Sequence, residues 1–240
     1  MLDSLLASFS RAHAQGAFLL TLLSQVREPS ADTALRLEQL ATKLARPEDI
    51  ERYLSAMRSG SGTGPMMAQR FLAPPYMLED LAHLPEGTLG HAYRRHMLDN
   101  GLKADFFAPI EPSDDAAYAR LRMYQTHDIW HVVTGYSTST AGEVSIVGFY
   151  LGQFDRYAGP NAHHAMGFTA MLAGTAFMHA ALMRPDRMRP FYRGFTEGFT
   201  RGQTARSLFA ARWEEMWERP LVDIRAEYGV GERAAARASA

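Results

Sequence analysis

Apolar residues recur along this chain at spacings of three and four, and strict alternation is scarce, so the pattern predicts an all-α fold. Leu2, Leu5, Leu6, Phe9, Phe18, Leu19, Leu22, Leu23 and Val26 make one stripe of a long opening helix, which Glu28-Pro29-Ser30 ends. Asp32 or Thr33 caps the next helix. Pro47-Glu48-Asp49 opens a third, carrying Ile50, Tyr53, Leu54 and Met57, with proline in its first turn and two acids against the positive end of the helix dipole. The Gly/Ser run over 59–65 reads as a loop. It lacks the Gly-Lys-Ser/Thr ending and the preceding strand of a phosphate cradle. Short helices over 76–82 and 89–99 follow, the second stopped by Asn100-Gly101.

After a connector over 109–112, Ser113-Asp114-Asp115 caps a helix of about six turns. A further helix begins at or near Glu143 and reaches Tyr157, and Pro160-Asn161 punctuates. Residues 157–183 contain no Asp, Glu, Lys or Arg, a length that could span a bilayer. Ala, Gly and Thr outnumber large apolar residues from Ala165 onward, however, and His163, His164 and His179 intrude, so a buried central helix is expected. Its small residues permit close packing or leave room for an apolar ligand. An amphipathic helix over 201–218 and a short one over 223–228 close the chain, with a frayed tail from Gly231.

The 240 residues, 47% of them hydrophobic, suffice for one compact domain over 1–230, followed by a flexible tail over 231–240. A formal net charge of -1 gives no electrostatic footprint for nucleic acid, despite pairs such as Arg94/Arg95. There is no cysteine, which excludes disulfides and thiol catalysis and leaves histidine and carboxylate as metal ligands. The opening Met1-Leu2-Asp3-Ser4-Leu5-Leu6 has no basic stretch before an unbroken apolar core, so neither a signal nor a transit peptide is read, and a cytoplasmic location is expected. Arg184, Arg187, Arg189 and Arg193 read first as a solvated face; a phosphate or anionic headgroup is the alternative, placing the chain peripherally on the inner face of a membrane.

The chemistry concentrates in His127-Asp128-Ile129-Trp130-His131, followed after eleven residues by Glu143. Histidines at i and i+4 share a helix face, Asp128 lies three positions before His131, and the turn formers over 134–142 let a second helix deliver Glu143. All four groups continue apolar stripes (Leu121, Tyr124 on one helix; Val147, Leu151, Phe154 on the other), so they are expected to be buried together. Four buried ionisable groups without a cation or a dense network would cost several kcal/mol, so the reading is a divalent metal site. Zinc suits imidazole and carboxylate donors first, with Mg2+, Mn2+ or Fe2+ as alternatives. His163-His164 could offer at most one ligand to it, and His91 and His96 need only capping or surface roles.

His127-Asp128-x-x-His131-x(11)-Glu143 resembles the signature of the ubiquinone (coenzyme Q) biosynthesis protein Coq-four family. Leu84-Pro85-Glu86-Gly87-Thr88-Leu89-Gly90 is similar to that family's Leu-Pro-Glu-Gly-Thr-Phe-Gly segment, with Leu89 in place of the aromatic. Trp213-Glu214-Glu215-Met216-Trp217-Glu218-Arg219-Pro220-Leu221, with Arg225 beyond, is similar to its C-terminal Trp-Glu-Glu helix and trailing Leu-Arg pair. The anchors span residues 80–229, and the loop over 135–142, with no transit peptide read, suits a bacterial member. The resemblance implies an all-helical oligomer holding a divalent ion and, in an apolar channel, an isoprenoid lipid or polyprenylated quinone precursor, with other ubiquinone biosynthesis proteins as partners. It also implies His127, Asp128, His131 and Glu143 as ligands and as the catalytic set.

Two functions follow from the resemblance. One is a metal-dependent decarboxylase (a lyase) removing the C1 carboxyl of a polyprenylated benzoate with hydroxylation there. The other is a lipid-binding scaffold for the biosynthetic complex, in which the ion is structural. A third reading, an HD-type phosphohydrolase, rests on the His127-Asp128 pair and needs His91 or His96 upstream and Asp155 downstream.

Overall fold

In the computed structural model, residues 2–103, 111–160 and 162–231 are described, with the side chains of residues 2–10 outside that description. The expected tail beyond Gly231, part of the connector at Pro109, Asn161, and the stripe residues Leu2, Leu5, Leu6 and Phe9 therefore lie outside the residues whose side chains are described. Among the described residues there are ten α-helices: α1 (Leu2–Arg27), α2 (Ala31–Leu44), α3 (Pro47–Ser59), α4 (Thr63–Gln69), α5 (Leu89–Asp99), α6 (Asp115–Thr134), α7 (Thr140–Tyr157), α8 (Ala162–Met183), α9 (Met188–Thr204) and α10 (Leu221–Tyr228). No strand occurs among them, only an isolated antiparallel bridge between Thr88 and Pro220. The all-α expectation holds.

The caps follow local chemistry. Ser30, rather than Asp32 or Thr33, caps α2 by accepting from the Thr33 N–H at 3.2 Å, because the helix starts one residue earlier than its polar run suggests. Asp114 caps α6 and Ser139 caps α7 in the same way. The Gly/Ser run is shorter than expected: α4 begins inside it, at Thr63, with Pro65 in the first turn, where a missing N–H removes no helical bond. Thr63 Oγ1 donates to Met57 O at 2.7 Å and closes the turn between α3 and α4.

The core gathers around α6 and α7. Trp130, Ile129, Val133, Ile146, Phe149 and Phe154 are almost fully buried there. Against α7 lies α9, parallel to it and at backbone distance: a Cβ added to Gly148 or Gly152 would run into Phe195 O or Phe199 O, and one added to Gly198 or Gly202 into Ser145 O or Phe149 O. Glycine is required at this seam because the two backbones touch.

Three expectations fail here. The helix expected over 201–218 does not form: α9 ends at Thr204, residues 205–212 run irregularly, and only a short turn of tighter helix remains at Trp213–Glu215. Distant side chains serve that backbone. Gln153 Nε2 donates to Gly202 O at 2.6 Å, Leu208 N–H donates to Gln153 Oε1 at 2.9 Å, and Tyr157 Oη donates to Ala205 O at 2.7 Å. The family's Trp-Glu-Glu stretch is therefore not an extended helix in this chain. It is fixed instead by a buried bidentate pair, Arg122 Nη1 to Glu214 Oε1 at 2.6 Å and Nη2 to Oε2 at 3.0 Å, with side chains 2% and 4% exposed. Lastly, α8 is not a buried central helix. Its Ala165, Ala173, Thr175 and Ala180 face α1, α3 and α7, but Met178, Leu182 and Met183 stand exposed. An uncharged helix with small residues reads alike whether covered or open. Among the described residues it is the one helix long and apolar enough to cross a membrane by length and composition.

Candidate metal centre

The last two turns of α6 carry His127, Asp128 and His131, and the first turn of α7 carries Glu143. Between them the chain reverses sharply. Gly135 takes a left-handed conformation at φ 77 and donates its N–H to His131 O at 2.8 Å, closing α6. The last carbonyls of α6 are then taken by cations from elsewhere: Arg225 donates to Val132 O at 2.9 Å and Val133 O at 3.1 Å, and Arg201 to Thr134 O at 3.1 Å. Gly142 fits only because it lacks a Cβ, which would overlap Ser137 O.

This reversal sets the His131 imidazole. Its Nδ1 lies 3.0 Å from Tyr136 O, and a carbonyl only accepts, so Nδ1 carries a proton and the ring turns its Nε2 toward the other two groups. That Nε2 lies 3.2 Å from His127 Nε2 and 3.2 Å from Glu143 Oε1, while His127 Nε2 lies 3.6 Å from Glu143 Oε2. One ligand atom from each of the three residues falls within 4.8 Å of the others. Two nitrogens and a carboxylate oxygen this close repel unless a proton or a cation lies among them, and the donor types are those of a divalent ion.

The electrostatics agree. Burial works against charge on Glu143, but hydrogen bonds and charge from His127 and His131 outweigh it and bring the carboxyl down to about 2. Burial likewise opposes protonation of His127, and Glu143, with Asp128 behind it, overrides this and holds the imidazole above its ordinary value. The site keeps its negative group ionised and its positive charge welcome. Burial is less complete than expected: His131 is closed off, whereas the side chains of His127 and Glu143 are 37% and 41% exposed. The centre therefore opens to solvent on one side.

Asp128 takes a different position. It lies outside the three-residue group, its side chain 29% exposed, with Oδ1 3.6 Å from His96 Nε2 of α5. Burial tends to raise its pKa, but the facing His96 imidazole, then His127 and His131, keep it lowered. His96 is thus neither a cap nor a surface residue, and spacing could not expose this because its neighbours belong to another helix. One aromatic residue was also missed. Tyr150 lies two turns beyond Glu143 on α7, with its ring parallel to His127 at 6.1 Å and stacked on Trp130 at 4.1 Å. His163 and His164 lie against each other and outside the group, and Asp155 accepts from Gln203 Nε2 at 2.8 Å.

A family model described as "Coenzyme Q (ubiquinone) biosynthesis protein Coq4" matches residues 36–233. The mitochondrial ubiquinone biosynthesis protein COQ4 of Eremothecium gossypii is 26% identical over 203 residues, covering 83% of this chain and 59% of that protein. Its counterpart in Coprinopsis cinerea is 29% identical over 168 residues, covering 67% of this chain and 52% of that one. The chain thus spans somewhat more than half the length of these curated relatives. A crystal structure of a provisionally assigned ubiquinone biosynthesis protein from Nostoc punctiforme superposes with a TM-score of 0.73 at 25% identity, covering 91% of this chain and 97% of that one.

Proposed function

Because the chain belongs to the coenzyme Q (ubiquinone) biosynthesis protein Coq4 family, we propose that it is a metal-dependent decarboxylase acting at C1 of a polyprenylated benzoate during ubiquinone assembly. The observation that carries this reading is the convergence of His127, His131 and Glu143 from two helices. His127, His131 and Glu143 would hold the ion and Asp128 would complete the set, with zinc the first candidate and Mg2+, Mn2+ or Fe2+ the others. When bound, such an ion supplies Lewis-acid stabilisation of the charge that develops as the C1–carboxyl bond breaks. The protein's own groups do the rest. His131, locked by Tyr136 O, and Glu143, held ionised, keep the ligand set in place without rearrangement. Tyr150, buried and stacked on Trp130, backs the His127 imidazole from the core side and fixes where that ring stands. A structural ion in a lipid-binding scaffold would sit in a closed shell; the exposure of His127 and Glu143, 37% and 41%, favours the catalytic reading.

The isoprenoid tail would run along the open face of α8, where Gly167 and Gly174 have empty space beside them. That face ends in an exposed apolar tip: Met178, Leu182 and Met183 on α8, Met188 and Tyr192 on α9. Arg189 and Arg193 lie beside it, and Arg184 and Arg187 share Asp186. Such a tip fits the inner face of a membrane bearing anionic headgroups. Val144, next to Glu143, packs with Ala180 and Phe191, which puts the tip at the metal end of α7. Residues 1–230 would act as one domain, self-associate and meet other ubiquinone biosynthesis proteins.

Replacing His131 by Ala tests the reading. Bound metal should fall to background by elemental analysis, and the C1-carboxylated precursor should accumulate in cells that depend on this protein. Normal ubiquinone content supported by a metal-free variant would overturn it.

A further inference from the structure

Two stretches that carry the family resemblance supply no ligand to the centre, yet they are tied to each other. Leu89 N–H donates to Arg219 O and Gly90 N–H to Trp217 O, both at 2.9 Å, and Leu221 N–H donates to Gly87 O at 2.8 Å. Gly90 permits this contact, since an added Cβ would stand 3.1 Å from Trp217 O and collide with Leu84. One turn on, Tyr93 stacks on Trp217 with ring centroids 5.1 Å apart. Thr88 caps α5 from the same segment. The whole arrangement fixes where α5 starts and how it lies, and two turns along it sets His96 against α6.

The His96 ring stacks on His131 at 5.7 Å and 21° between planes, with its side chain 13% exposed. Its Nε2 is buried without a partner at hydrogen-bonding distance, and Asp128 Oδ1 faces it at 3.6 Å. A buried imidazole nitrogen left this way costs about 1–3 kcal/mol, which a structural role alone gives no reason to retain.

The geometry points to His96 as the positioning residue for Asp128: it holds Oδ1, leaving Oδ2 for the ion, and supports His131 from behind by stacking. Carboxylate ligands are commonly oriented by such a second group. The Leu-Pro-Glu-Gly-Thr segment and the C-terminal Trp-Glu-Glu segment then serve the centre at one remove, by aiming α5. This inference rests on the metal reading of the centre.

Co2+ serves as the probe, because its visible absorption reports ligand geometry. The purified wild-type chain, H96A, H96Q and a control on the exposed face of the same helix, L98A, are titrated with Co2+ and checked for helicity by circular dichroism. H96A is expected to weaken Co2+ about 10- to 100-fold and to shift the visible bands, while L98A matches wild type. H96Q, whose amide can still donate to Asp128, should restore most of the affinity and the band positions. Bands and affinity unchanged in both His96 variants overturn the inference while leaving the metal reading intact; if H96A fails to fold, unchanged bands in H96Q, or loss in H96Q equal to that of a non-donating H96L, decide against it. A wild-type chain that takes up no Co2+ overturns the metal reading, and this inference with it.

Discussion

Glu143 and Glu38 are both helix-borne carboxylates on which burial acts to raise the pKa, and they end up shifted in opposite directions. Glu143 is brought down from 4.5 to about 2 by two imidazoles, although burial opposes this. Glu38, on α2 and with its side chain 14% exposed, is pushed up from 4.5 to about 7 by burial, and Arg120 at 4.0 Å offsets only part of that rise. Its Oε2 is buried with no hydrogen-bond partner. Burial raises the pKa of both, so by itself it does not decide the state of either carboxyl. Directed partners do, and Glu143 has two where Glu38 has one at the limit of reach.

The strongest way to break the contrast is Glu143→Gln, which removes the charge that His127 and His131 surround. Loss of a ligand should exceed the effect of losing a supporting group, so divalent-ion affinity is expected to fall by more than about 100-fold in calorimetric titration. Retained affinity would dissociate the carboxylate from the centre.

Glu38→Gln should act oppositely and on stability. Between about pH 4.5 and 7 the folded state holds a proton on Glu38 that the unfolded chain has lost, so stability declines as pH rises through this window. The Gln variant escapes that decline and should be more stable than wild type by about 2 kcal/mol at pH 8, a gain that vanishes near pH 4 in denaturant unfolding. Glu143 has the reverse sign in the metal-free protein: its contribution is present above 4.5 and lost as pH falls toward 2. A pH-independent effect of Glu38→Gln would remove the contrast.

The smallest effect belongs to Arg120→Ala, which takes away the charge that partly holds Glu38 down. Arg120 is itself 39% exposed, so solvent screening limits the loss to under about 1 kcal/mol at pH 8, with the Glu38 transition moving to higher pH.

The candidate centre was legible because its signal is local. A helix repeat aligns His127 with His131, and turn residues deliver Glu143, so three of the four groups come together as the spacing requires. What spacing could not supply is the surroundings of Asp128, which lies outside that group and faces His96 of α5 at 3.6 Å. Nor could it find α9: Gly194, Gly198 and Gly202 look like helix breakers, though their spacing of four is the mark of a backbone-to-backbone contact, here with α7. The segment over 205–212 was misread for the converse reason. Its apolar residues Ala205, Leu208 and Phe209 fill the core without a helix, since Gln153 and Tyr157 supply the backbone bonds a helix would have made. Its order is written in residues some fifty positions upstream.

The glycine seam leaves α7 and α9 with no intervening side chains whose rotamers could yield. The pair must move as one stiff lever, with Glu143 near one end and the apolar, arginine-flanked turn at Met188 just beyond. A displacement of that turn reaches Glu143 through backbone contact rather than through side chains that could rearrange.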